Sequence, residues 1–106
     1  MSGYLVFFVA DPVDDDLAAA VRKRVRATDG AGWFDDPDAP TPAERTAGGY
    51  VQVGAPEEAL GQALLTAARD VSALHGVVVE VQWREEVIGH LEGGEWRSSS
   101  TSTWTP

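Results

Sequence analysis

An α+β sandwich, with two helices against one face of a mainly antiparallel sheet, is the fold class this sequence predicts. Three observations carry that expectation. The chain states one pattern twice. Gly3-Tyr4 opens an apolar run to Ala10, followed by Pro12, three aspartates and a helical pattern ended by Gly30. Gly49-Tyr50 opens a run to Gly54, followed by Pro56, two glutamates and a helical pattern ended by Gly76. Proline and acids at a helix start, with glycine past its end, are the ordinary punctuation of helix termini. Second, Leu60, Ala63, Leu64, Ala67, Val71 and Leu74 recur at helical spacing. Third, Val77, Val79, Val81 and Trp83 alternate with Val78, Glu80, Gln82 and Arg84, the period of a strand with one face on the core.

Taken in order, Leu5 to Val9 is apolar at every position, as a strand covered on both faces reads. Asp14, Asp15 and Asp16 lie where the first free amides of a helix need acceptors. Leu17, Val21 and Val25 then give one narrow buried stripe, and Arg22, Lys23, Arg24 and Arg26 suit the helix C-terminal end. Residues 28–48 are irregular. Gly30, Gly32, Pro37, Pro40 and Pro42 exclude a long helix, leaving Gly32-Trp33-Phe34 as a short edge strand and Asp35 to Gly48 as an exposed acidic loop. Tyr50 to Val53 alternates as a strand. A helix from Ala59 to His75 follows, with Gly76 as its left-handed cap. Arg84-Glu85-Glu86 turns the chain into a last strand, Val87 to Leu91. The expected core is Leu5, Phe7 or Phe8, Val21, Val25, Val53, Leu60, Leu64, Val71, Val79 and Val81.

The order strand, helix, weak strand, strand, helix, strand, strand resembles the ferredoxin-like βαββαβ sandwich with an extra C-terminal strand, which sets strands one and three at the centre of the sheet. On this reading residues 1–96 form a single α+β domain. Residues 97–106, seven of them Ser or Thr, form a flexible tail too polar to fold alone.

Composition narrows the function. Seventeen acids against eight bases give a net charge of −9 and a pI near 4.4. A field of that sign repels phosphate backbones and speeds encounter with a basic protein. With no cysteine there is no thiol nucleophile, disulfide or thiolate metal site, which fits a reducing compartment and a cytoplasmic location. No apolar run approaches the ~20 residues of a membrane span, and no basic stretch precedes the first one as in a secretory signal.

Catalytic chemistry finds little support. No G-x-S-x-G elbow exists, and His75 and His90 are the only histidines. The run Asp11, Asp14, Asp15, Asp16 and the run Asp35, Asp36, Asp38 lack the glycine turn and distal glutamate of a calcium loop. Both helix starts carry proline and acids where a phosphate site would carry glycines. No metal or cofactor is expected.

The candidate contact residues are Trp33, Phe34, Asp35, Asp36 and Asp38, aromatic anchors among carboxylates in a long loop. They support a small acidic, non-enzymatic binding or regulatory module of the immunity or adaptor kind, acting on a basic protein. The alternative is a small-molecule enzyme or sensor that resembles the dimeric α+β barrels. Its pocket would lie between sheet and helices, lined by Tyr4, Phe8, Trp33, Tyr50 and Trp83, with His90 as the proton-transfer group. A strand apolar on both faces beside helices that cover one face also predicts a homodimer.

Overall fold

In the computed structural model, which describes residues 2–99 with Trp104 and Pro106, β1 (Gly3–Val9) runs through the middle of a six-stranded antiparallel sheet. α1 (Asp15–Arg26), β2 (Gly32–Asp35), β3 (Ala47–Val53), α2 (Ala59–His75), β4 (Val79–Trp83), β5 (Glu86–Glu92) and β6 (Glu95–Ser98) follow. The sheet order is β2-β3-β1-β4-β5-β6. Its first four strands have the ferredoxin-like arrangement, and the β5–β6 hairpin widens the sheet beyond β4. Both helices cover the same face, α1 over β2 and β3 and α2 from β3 across to β5.

Local chemistry explains the helix ends. Asp14 caps α1, its Oδ1 accepting from Leu17 N at 2.8 Å, with Asp15 and Asp16 in the first turn. Asp11 bonds outside the helix. Its Oδ2 accepts from Val78 N at 2.7 Å and so ties the exit of β1 to the entry of β4. In α2, Glu58 makes no side-chain cap but turns back to accept from Gly54 N. Gly76 closes the helix at φ 62°, the left-handed position expected for it.

The core lies between the helices and the odd-numbered side chains of β1. Leu5, Phe7 and Val9 are buried there with Val21, Val25, Val51, Val53, Leu64, Val71, Val79, Val81 and Leu91. Phe7 is therefore the core phenylalanine, and Phe8 faces the opposite side. Leu60 is half-buried against the cluster. The stripe of α2 differs from its periodicity: Ala63 is exposed and Leu74 is 63% exposed, while Leu65, Ala68 and Ser72 are buried. Ser72 fixes this rotation. Its Oγ donates to Val77 O and accepts from Gly94 N, so the face carrying Ser72 must point inward.

The strand β6 is a further difference. Gly93 and Gly94, at φ 56° and 84°, form a two-residue turn between β5 and β6, and the new strand carries Arg97 and Ser98 past the expected domain boundary at residue 96. Half of the expected flexible tail, residues 100–103 and 105, lies outside the described residues. The preceding hairpin turns through Arg84 and Glu85, both at positive φ (53° and 69°), a geometry usually filled by Asn-Gly. No helix among the described residues is long and apolar enough to cross a membrane.

Candidate functional site

Alternation along each strand decides which residues each face of the sheet can offer. On the helix side all four tryptophans, Trp33, Trp83, Trp96 and Trp104, pack against the core cluster. On the open side stand Tyr4, Val6 and Phe8 of β1, Tyr50 of β3 and Phe34 of β2, by the pairings Val6–Tyr50, Phe8–Gly48 and Phe34–Gly48. Glycines flatten this side. The ring of Tyr50 lies over Gly32 and that of Phe34 reaches over Gly48, so that the added Cβ of any other residue would meet them. Tyr4 and Tyr50 meet edge to face at 5.8 Å. Beyond β1 the same face becomes polar through Glu80, Gln82, His90, Glu92, Glu95 and Arg97.

The five candidate contact residues are therefore not gathered together. Trp33 turns toward α1, half-buried, with the Arg22 guanidinium 5.1 Å above its ring and its buried Nε1 without a hydrogen-bond partner. Phe34 turns to the open face. Asp35 points back under the loop, and only Asp36 and Asp38 are exposed to solvent. The pocket expected for an enzyme is divided likewise: Tyr4, Phe8 and Tyr50 are on the open face, Trp33 and Trp83 on the helix side. His90 is also on the open face, paired with Glu92 at 3.2 Å, away from the space between sheet and helices.

Arg45 organises the loop, and sequence reasoning passed over it. Its Nε and Nη2 donate to Oδ1 and Oδ2 of Asp35 at 2.9 and 2.8 Å, and its Nη1 donates to Asp15 Oδ1 at 2.7 Å. The Asp35 and Arg45 side chains are 7% and 12% exposed, whereas Asp15 is 95% exposed. A planar guanidinium holding one carboxylate by two parallel bonds is the directional form of an ion pair. The clamp brings the loop against the start of α1, helped by Val13 N donating to Pro42 O. Two acidic runs that are distant in sequence thus become one surface, with Asp14, Asp15, Asp16, Asp36 and Asp38 all exposed. Between them lies a groove of about 250 Å³ lined by Val13, Ala39 and the three loop prolines, with Arg45 within it. The signal for Arg45 was available: it is the only base between Arg26 and Arg69.

Hydrogen bonding from Arg45 holds the Asp35 carboxyl below the usual carboxylate range, against the opposing effect of burial. A depressed folded pKa means that the unfolded chain binds a proton more readily. The stabilisation is then fully present above the unfolded value of about 3.9 and is lost as pH falls through the folded value. The parent should lose stability on acidification through that window. Asp35→Asn should melt several degrees lower at neutral pH and show a flatter acid limb. Equal melting temperatures at pH 7 would show that the clamp contributes nothing.

Comparison of the chain with family models, curated proteins and solved structures gives no match.

Proposed function

We propose that this chain is a non-enzymatic protein-binding or regulatory module that docks a basic protein through the acidic surface shared by the loop and the start of α1. The observation that carries this reading is the Arg45 clamp. It engages Arg45 on Asp35 and Asp15, and leaves Asp14, Asp16, Asp36 and Asp38 facing solvent beside a groove lined in part by Val13, Ala39 and the loop prolines. Carboxylates held in place lose little entropy on binding, and the groove offers apolar area for affinity beside charge for selection. Trp33 has no part as an exposed anchor in this form of the reading, because it packs toward α1. The cysteine-free, acidic composition fits a cytoplasmic partner rather than nucleic acid or a membrane.

The test changes charge without touching the clamp. Asp16, Asp36 and Asp38 are exposed and lie outside the Arg45 ion pairs. The triple variant Asp16→Asn, Asp36→Asn, Asp38→Asn should keep the parent's melting temperature. In quantitative capture from the source cell it should lose a basic protein that the parent retains. Recovery of the same proteins by both baits in the same amounts would exclude this surface.

A further inference from the structure

We propose that the open face of the sheet docks a second copy of this chain, face to face about a two-fold axis lying in the interface. This surface is separate from the acidic one, and the inference goes beyond the proposed function. No helix or strand among the described residues covers the face; the Arg84-Glu85 turn borders it and lines one hollow with Tyr4, Val6, Phe34 and Tyr50. Tyr4 and Tyr50 are 52% and 39% exposed, and Val6, Phe8 and Phe34 are half-buried. An apolar area of this kind, continuous over three strands, marks an association surface.

The pattern of the face and its area both fit a second copy as the occupant. The first is self-matching. Along β1 the open face reads Tyr4, Val6, Phe8, apolar at both ends and in the middle. An axis crossing the strands at Val6 sets Val6 on its own copy and Phe8 over Tyr4 of the second chain. Glu80 lies beside Phe8, and Glu92 and Glu95 pair with each other one position further out. The same axis therefore carries these carboxylates away from their own copies. Within β2, β3 and β1 no charged side chain stands on this face, and Arg84 and Glu85, which border it, are of opposite sign and so give no net charge that would select a basic partner. The second argument is area. Six strands about 4.8 Å apart and roughly five residues deep, at about 3.3 Å each, make a whole face of about 400 Å² in plan, the polar strands β4 to β6 included. Side-chain relief raises the accessible area above that, so pairing two faces removes on the order of 1,000 Å², the lower bound for a specific interface.

Each copy carries −9, so long-range repulsion opposes pairing and salt relieves it. Self-association should therefore strengthen as sodium chloride rises, the opposite of the salt response expected at the acidic surface. Sedimentation velocity of the full chain, from about 1 to 100 μM, should show a species of twice the 11.3 kDa chain mass. Tyr4→Lys and, separately, Val6→Lys should each return the chain mass while keeping a cooperative melt. Tyr4 is exposed enough that its replacement leaves folding intact. The triple Asn variant of the acidic surface should remain a dimer, which separates failure of this inference from failure of the proposed function. A parent of single-chain mass throughout would overturn the proposal. So would a dimer that survives in a folded Tyr4→Lys or Val6→Lys chain, or a monomer whose open face instead captures a different protein.

Discussion

Gly48→Ala is expected to destabilise this protein more than any other single methyl added to its sheet. Gly48 lies in β3 against Phe8 of β1 and Phe34 of β2. A Cβ there would overlap the carbonyl oxygen of Phe7 and approach Phe8 Cα to 2.8 Å and Phe34 Cζ to 2.9 Å. Two of those three atoms belong to backbone, so no side-chain rotation relieves the contact. The β1–β3 pairing must open instead. Overpacking of this kind costs about 3 kcal/mol or more, a fall of more than about 10 °C in melting temperature for a domain of this size. A thermal melt of the variant overlaying the parent would mean that β3 passes β1 differently from the arrangement described.

Leu64→Ala should cost about 2–5 kcal/mol. Leu64 is wholly buried at the centre of the inward face of α2, within the cluster that joins both helices to β1. The tight packing of β1, β3 and α1 leaves the site little scope to collapse around the lost methyls, which places the effect in the upper part of that range. Chemical denaturation with an unchanged slope and a lowered midpoint is the expected result. Leu74, which shares the helical periodicity but is 63% exposed, serves as the control: Leu74→Ala should shift the midpoint little. Equal effects at the two positions would place the packed face of α2 elsewhere.

That contrast shows how far sequence patterns reach. The strand and helix order was legible because hydrophobic period and end signals agreed in both halves of the chain, and with it the pairing of β1 with β3; the β5–β6 hairpin moves the middle of the sheet to β1 and β4. The rotation of α2 was not legible. It depends on Ser72, whose hydroxyl bonds to Val77 and Gly94, two partners that only the folded chain brings near. The strand β6 could have been read from Glu92-Gly93-Gly94-Glu95, since two glycines between strand-like segments are a hairpin signal. The serines that follow obscured it.

The candidate site was legible in composition and not in geometry. Acidic runs at Asp14–Asp16 and Asp35–Asp38 stand out in the sequence, but nothing in either run says that the two meet. A single arginine joins them, and a lone base in an acidic stretch reads equally well as solvated charge. Trp33 and Phe34 are adjacent, so a strand must send them to opposite faces, one to α1 and the other to the open aromatic side. Treating the pair as one anchor overlooked the alternation of the short edge strand expected at Gly32-Trp33-Phe34, which forms as β2. The glycines at 32 and 48 likewise read as punctuation, whereas in the sheet they are the surfaces on which Tyr50 and Phe34 lie.

The central claim, that exposed carboxylates select a basic partner by long-range attraction, is tested most directly by association rates. Stopped-flow mixing of the captured partner with the parent and with the Asp16→Asn, Asp36→Asn, Asp38→Asn variant, over a range of sodium chloride concentrations, separates steering from contact. The parent's association rate should fall steeply with salt, and the variant should associate about tenfold more slowly at low salt with a flatter slope. Superimposable rate–salt plots for the two proteins would contradict the account.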